Sequence, residues 1–256
     1  MIRIVRLGAA AVLGGWLGVA LAAPEDTATE KRSIDARVVR VKIDGSLDVQ
    51  IRQGATASLV LTGERTSLTK VSSDQHGDTL IIATEGKRFQ LGGTKRGLRA
   101  ELTLPTLREV SSESVGGTEI SGFSGDQIDL RLDGAGSMRF NCTYRMVNAE
   151  LGGVGSMDIQ AGSVEAIEVN LRGAGFVALR GGGKRLKASL GGLGNLDAQR
   201  FTADSVDLDL SGLGNASVFA RENVALNLSG LGSVTVYGKP AKRNASVDGL
   251  GKVSWK

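Results

Sequence analysis

Apolar and polar residues alternate with a period of two along most of the chain beyond residue 37. Clear examples are Ile128-Leu130-Leu132, Val206-Leu208-Leu210 and Val234-Val236. A period of two with one apolar face predicts half-buried β-strands. Apart from an apolar stretch at the N-terminus, no segment has a helical period, so the pattern predicts an all-β fold.

A Gly-x-Gly word interrupts the alternation seven times, at steps of 18 to 20 residues. The paired glycines are Gly134 and Gly136, Gly153 and Gly155, Gly173 and Gly175, Gly192 and Gly194, Gly212 and Gly214, Gly230 and Gly232, and Gly249 and Gly251. An eighth, degenerate copy lies at Ser114–Gly117. A fixed period of this length is typical of a solenoid. We therefore predict a single-stranded β-solenoid (β-helix) with coils of about 19 residues and the glycine word at one structural corner.

Glycine suits such a corner for two physical reasons. It adopts a positive φ at no steric cost, and it leaves room for the next coil, which stacks about 4.8 Å away. The residue between the glycines is Ala, Val or Leu, which predicts a stacked apolar ladder. A phosphate-binding loop is disfavoured, because that loop occurs once, between a strand and a helix, with a lysine and a hydroxyl residue. A calcium-binding glycine repeat is also disfavoured, because its period is nine residues, about half the period found here.

The alternation divides the chain into segments. We expect residues 113–256, which carry the glycine words, to form the regular Gly-x-Gly solenoid. Residues 37–112 keep the strand pattern without the word, and we expect irregular coils that close the N-terminal end of the solenoid; a separate small β-domain is the alternative. Residues 23–36 are polar and charged, which predicts a flexible lead.

The first 22 residues are typical of a secretory signal peptide. Arg3 and Arg6 precede an apolar stretch at Leu7–Leu21, and Ala20-Leu21-Ala22 is a small-x-small cleavage site. A membrane anchor is the alternative, since the stretch has nearly the length of a span. We expect export to the periplasm or the cell surface, with no membrane span after the signal is removed.

Charge and cysteine content narrow the function classes. The chain has 31 Lys and Arg against 27 Asp and Glu, a formal net charge of +4 that falls to +2 without Arg3 and Arg6. Nearly equal numbers of basic and acidic residues are not typical of a protein that binds nucleic acid or an anionic membrane. Cys142 is the single cysteine, so no internal disulfide forms. Its place in the alternation predicts a buried thiol; a reactive or intermolecular one is the alternative.

Several longer motifs resemble a known family. They are "IDGSLDVQIRQG" at Ile43–Gly54, "QHGDTLII" at Gln75–Ile82, "LTLPTL" at Leu102–Leu107 and "VYGKP" at Val236–Pro240, together with the Ser/Asp-Gly-x-Gly corners. The chain resembles the head GIN domain proteins, described as autotransporter adhesins of bacteria, over nearly all of 37–256. The resemblance implies a right-handed β-solenoid exported to the envelope with an adhesin-like role, and it supplies no catalytic residues.

The chain departs from this family at a few corners. Gly152, Arg172 and Gly191 stand where the family prefers serine before the glycine word, and the corner at 114–117 is degenerate. These differences concern local turn geometry and leave the predicted fold unchanged.

The alternation also identifies outward-facing polar residues as a candidate ligand face. Asn170, Asp207, Asp209 and Asn227 lie in the strands before the corners, where short polar side chains form a flat lattice suited to a long polysaccharide. A plain solvated surface is the alternative, because the series Glu168, Lys187 and Asp207 alternates in sign across coils, as a self-stabilising sheet surface does.

Catalysis and metal binding are less favoured. Asp207 and Asp209 lie about 7 Å apart along a strand, within the range of an inverting glycosidase pair, but such a pair must flank the sugar in a cleft.

His76, the only histidine, stands in an apparent hairpin turn, so we predict neither a zinc site nor a cofactor. One basic cluster contains Lys87, Arg88, Lys95, Arg96 and Arg99, either a solvated loop or an anion-binding site.

The favoured interpretation is a non-enzymatic exported β-solenoid of the bacterial envelope that binds or organises a surface partner, glycan or protein, in the manner of an adhesin. A polysaccharide-active enzyme on a β-helix scaffold is the alternative. The last coil reaches Trp255-Lys256, and an open solenoid end is an edge strand, which also predicts self-association through that end.

Overall fold

A computed structural model describes residues 27–85 and 97–256. The predicted signal peptide at 1–22 lies outside these residues, and so do Lys87, Arg88, Lys95 and Arg96 of the basic cluster. Within the described ranges no helix is long and apolar enough to cross a membrane.

Nearly all regular structure is β. The strands are β1 Thr27–Ser33, β2 Arg40–Asp44, β3 Asp48–Gln53, β4 Ser58–Glu64, β5 Val71–His76, β6 Thr79–Thr84, β7 Arg99–Leu104, β8 Glu109–Ser112, β9 Gly117–Leu132, β10 Ser137–Leu151, β11 Ser156–Leu171, β12 Phe176–Leu190, β13 Asn195–Leu210, β14 Asn215–Leu228, β15 Ser233–Tyr237, β16 Lys242–Val247 and β17 Lys252–Trp255. One short helix, α1, spans Arg65–Leu68.

Strands β9 to β14 are the regular coils of a β-solenoid, as the repeat predicts. Each pairs in parallel with the next, and corresponding residues lie 17 to 20 positions apart, as in Met138 opposite Met157 and Leu171 opposite Leu190. Each ladder shifts register near its middle, as between Cys142 and Met146, where the chain passes from one wall to the other. We call the stacked segments that follow the glycine corners, such as 137–142, the post-corner wall, and those that precede them, such as 146–151, the pre-corner wall.

The core lies between these two walls. In β10, for example, Met138 and Phe140 enter from the post-corner wall, and Val147, Ala149 and Leu151 from the pre-corner wall, all with at most 2% of their surface exposed. Each inward residue stacks on its counterpart in the next coil, so the core is a continuous apolar column. Burial of this column is what holds together a solenoid without a disulfide.

The N-terminal coils stack out of sequence order, which the sequence pattern did not reveal. β2 pairs in parallel with both β6 and β8, and β3 pairs in parallel with both β7 and β9. The coil made of β6 and β7 is therefore the outer one, although it follows β2 and β3 in the chain. All seventeen strands share one sheet in the described residues, which does not fit a separate small β-domain.

The flexible lead predicted for residues 23–36 is wrong where the structure describes it. β1 pairs antiparallel with β4 over seven residues, from Thr27 opposite Glu64 to Ser33 opposite Ser58. β4 in turn pairs antiparallel with β7, and β5 with β6, so antiparallel strands cover the outer coil that β6 and β7 form. Polar composition does not prevent strand formation here, because one side of β1 faces solvent and backbone pairing supplies its order.

The residues between the paired glycines face outward. The exposed fraction is 65% for Val154, 60% for Leu193, 56% for Leu213 and 60% for Leu231. The predicted apolar ladder therefore exists as an external ridge along the solenoid, contributing little to the core.

Cys142 is buried, as predicted, with 5% of its surface exposed. Burial removes a thiolate from water and raises the pKa of Cys142 from 9.0 to about 11. Tyr144 lies beside it, donates its hydroxyl to the Leu107 carbonyl oxygen at 2.8 Å, and has a pKa raised chiefly by the same cause.

This shift predicts a loss of stability in alkali. A thiol whose pKa rises on folding favours the folded state below the unfolded-state pKa, and that contribution is lost as pH rises through the folded-state pKa. We expect the free energy of unfolding to fall by on the order of 2 kcal/mol between about pH 9 and pH 11, measured by guanidinium titration.

Cys142→Ala is the matched control, because Ala161 occupies the same inward position in the next coil. The variant should lose less stability over this range, and the remaining loss should reflect Tyr144. An equally steep decline in both proteins would contradict the assignment to Cys142.

Candidate functional site

The N-terminal half of the pre-corner wall is occupied by its own ion pairs. Carboxylates and arginines of successive coils alternate at nitrogen–oxygen distances of 3.1 to 3.7 Å. The series runs Asp78, Arg40, Glu109, Arg131, Glu150 and Arg172. Since each charge already has an opposite neighbour, this ion-pair ladder stabilises the surface and offers few free groups to a ligand.

The C-terminal half of the same wall differs. Asp207, Asp209 and Asn227 are exposed, and Asn170 is half-buried. Within the described residues the structure shows no hydrogen bond or ion pair to any of these four side chains. The four predicted ligand-face residues thus have hydrogen-bonding capacity to spare.

The strand register places three of these residues in one column. Asn170 lies opposite Ser189, Ser189 opposite Asp209, and Asp209 opposite Asn227. Neighbours in the column are therefore about 4.8 Å apart along the solenoid. Asp207 stands in the adjacent column, opposite Lys187 and Ala225.

Lys187 lies between Glu168 and Asp207 in this adjacent column. Its ammonium nitrogen donates to Glu168 Oε1 at 3.0 Å, and this bond, with a smaller attraction from Asp207 and Asp209, raises the pKa of Lys187. Of the three alternating charges Glu168, Lys187 and Asp207, only Glu168 and Lys187 are in direct contact. Glu168 holds the lysine, and Asp207 remains without a hydrogen bond in the described part of the chain.

A shallow depression of about 370 Å³ lies beside Asp207. Its polar lining includes Arg185, Asn223, Lys242 and Arg243, and Asp207 is its only carboxylate. The sequence analysis did not identify Arg185 and Lys242, although the repeat spacing contains the signal. Residues 185, 205, 223 and 242 occupy one column of the wall.

Asp207 and Asp209 do not have the arrangement that a glycosidase needs. They lie two positions apart on one wall, both exposed, and only Asp207 borders the depression. An inverting pair holds the sugar between two carboxylates, one of which has a raised pKa. Here both side chains point from the same side into solvent, which favours recognition over bond cleavage.

The remaining candidate residues stand apart from this surface. His76 ends β5 in a hairpin whose turn is Gly77-Asp78, and its side chain is exposed. Among the described residues, no group of three or more His, Cys, Asp or Glu is placed to hold a metal ion. Of the basic cluster only Arg99 is described, at the start of β7.

Comparisons with known proteins agree with the fold. The sequence model of the family described as "Putative auto-transporter adhesin, head GIN domain" matches residues 39–240. A search of curated proteins finds no match.

Solved structures show the same fold at low sequence identity. A putative adhesin from Parabacteroides distasonis has a TM-score of 0.81 at 18% identity, covering 90% of this chain and 97% of that one. A putative adhesin from Parabacteroides merdae has a TM-score of 0.80 at 19% identity, covering 90% and 96%. A putative lipid binding protein from Parabacteroides distasonis has a TM-score of 0.77 at 17% identity, covering 90% and 97%.

Proposed function

Because the chain belongs to the head GIN domain family of auto-transporter adhesins, we propose that it is an exported, non-enzymatic adhesin that binds a long envelope polysaccharide. The proposed binding surface is the C-terminal half of the pre-corner wall, around Asn170, Asp207, Asp209 and Asn227. The observation that carries the proposal is the contrast along this wall. The N-terminal half is paired in an ion-pair ladder, and these four side chains have no hydrogen-bond partner in the described residues.

The chemistry of the four side chains suits sugar hydroxyls. The carboxylates of Asp207 and Asp209 accept hydrogen bonds from hydroxyl groups, and the amides of Asn170 and Asn227 both donate and accept. Parallel strands hold their backbones at a fixed spacing on a rigid sheet, so binding has to order the side chains but not the chain that carries them. A repeating polymer can contact several coils at once, which multiplies weak contacts into useful affinity.

The test uses isothermal titration calorimetry to compare how the wild type, a variant of the proposed binding surface and a control variant bind isolated envelope polysaccharide. Asp209→Asn combined with Asn227→Ala should weaken binding at least about tenfold, because each lost hydrogen bond to a charged or amide group is worth about 1 kcal/mol or more. Gln160→Ala is the control, since Gln160 is exposed on the post-corner wall. Equal affinity in all three proteins would refute the proposed surface.

The enzymatic alternative has its own readout. Incubation with the same polysaccharide should release no new reducing ends if the protein only binds. Reducing-end release that disappears in Asp209→Asn would replace the adhesin proposal with catalysis.

A further inference from the structure

The C-terminal end of the solenoid is basic. Residues 239–256 contain five of the 31 basic residues and one of the 27 acidic ones, so these eighteen residues have a formal net charge of +4. The basic residues are Lys239, Lys242, Arg243, Lys252 and Lys256, and all five are exposed. The structure shows no ion pair between any of them and a carboxylate of the described residues.

The cations surround an apolar end of the core. Arg243 and Trp255 stand at inward positions of the two walls, opposite Val224 and Val236, and the guanidinium carbon lies 4.8 Å from the centre of the indole ring. In the same coil, Val247 is 42% exposed, and Leu250, at the glycine corner, is 85% exposed. Lys256 lies 5.8 Å from the centre of the Tyr237 ring.

We propose that this basic, apolar end docks on a bilayer surface that contains anionic lipids. Phosphate head groups neutralise the five cations, and Leu250 and Trp255 enter the boundary between head groups and acyl chains. Cations beside exposed aliphatic and indole side chains are the composition expected of an interfacial lipid-binding surface. In this arrangement the solenoid stands on the membrane and its polar walls remain free for a polysaccharide.

Two other occupants fit less well. A second copy joined end to end through the same surface would bring five cations against five, which opposes the self-association expected from an open edge. An acidic polymer would satisfy the lysines but would leave Leu250 and Val247 in water.

The experiment measures co-sedimentation of the purified protein with vesicles of phosphatidylcholine and phosphatidylglycerol at a ratio of about 2:1. We expect binding at low ionic strength that weakens as salt screens the charges, and no binding to phosphatidylcholine alone. The triple variant K242Q/K252Q/K256Q should bind about 100-fold more weakly, at about fivefold for each lysine. Leu250→Ser should weaken binding about tenfold by removing apolar contact.

A charge-matched control is available. Lys42, Arg108 and Arg139 are exposed, form no ion pair in the described residues and lie in β2, before β8 and in β10, far from this end, so K42Q/R108Q/R139Q removes the same charge. This variant should bind vesicles nearly as wild type does. Any contribution of the apolar stretch at 7–21 is equal in all of these proteins.

The outcomes separate the possible occupants. Equal binding by the two triple variants, or equal binding to neutral vesicles, would overturn the proposal. Binding to dextran sulfate that depends on the three lysines but not on Leu250, with no vesicle binding, would also overturn it in favour of an acidic polymer. Circular dichroism confirms that each variant is folded, and Asp209→Asn with Asn227→Ala should leave vesicle binding unchanged, which keeps this test independent of polysaccharide binding.

Discussion

Replacement of Gly173 by alanine is expected to lower the free energy of unfolding by about 3 kcal/mol or more, among the largest effects of any single substitution in this chain. A Cβ atom at position 173 would overlap the carbonyl oxygen of Gly153 and lie 2.6 Å from that of Gly152. Both obstacles are backbone atoms of the preceding corner, so no side-chain rotation relieves them.

The same carbonyl has a structural role. The Gly153 oxygen accepts the backbone N–H of Ala174 at 3.2 Å, one of the hydrogen bonds that join successive corners. A methyl group at 173 therefore pushes the two coils apart where they are bonded. Since every coil stacks on the one before it, the displacement passes to its neighbours.

Gly191→Ser is the matched control, one coil further along. A Cβ at 191 would meet only the Ser211 hydroxyl, at 3.8 Å, and the Leu171 carbonyl oxygen, at 4.0 Å, and serine occupies the equivalent positions 211 and 229. We expect a change within about 1 kcal/mol, in the stabilising direction because the unfolded chain loses freedom. Guanidinium denaturation measures both variants, and similar losses in the two would contradict the steric explanation.

The second large effect couples Leu171 to Gly194. The three atoms nearest to a Cβ at 194 all belong to the Leu171 side chain, with Cγ at 2.9 Å. The second glycine of this corner thus makes room for a leucine of the preceding coil. Leu171→Ala should cost about 2–5 kcal/mol by opening a cavity, and Gly194→Ala about 1–3 kcal/mol by overpacking.

The double variant should be less destabilised than the sum of the two. The alanine at 194 fills part of the space that Leu171→Ala vacates, so we expect a coupling free energy of about 1–3 kcal/mol from the double-mutant cycle. Leu190→Ala with Gly214→Ala is the control cycle, because a Cβ at 214 would meet backbone atoms of Gly194 and gains no relief. Additive effects in the first cycle, or equal coupling in both, would show that the Leu171 side chain is not the reason for a glycine at position 194.

The fold was largely predictable because its information is repeated. Seven glycine words and the alternation around them report one coil geometry many times, so a local error such as the degenerate corner at 114–117 does not obscure the period. The direction of the inward residues followed from the same alternation, and the burial of Phe140, Cys142 and Leu151 confirms it.

The placement of the candidate ligand face was also predictable, in part. Outward alternation and coil spacing predicted that Asn170, Asp209 and Asn227 share one row, and the strand register places them in one column; their role in binding stays a prediction. Which outward residues are already paired was not predictable. Ion pairs depend on side-chain reach between coils, as where Arg131 contacts both Glu109 and Glu150.

By itself, the sequence determined the coil length, the glycine corners, the inward rows and the outward rows, because each follows from a local period. Only the tertiary structure decided the out-of-order stacking of β2 and β3 between β6–β7 and β8–β9, and the capping role of β1, because these pairings join segments with no repeat to align them. It also decided where charge collects. Lys242 and Lys256 come together on one end because the last coil brings both walls to the same edge, whereas a net charge summed along the chain averages that concentration away.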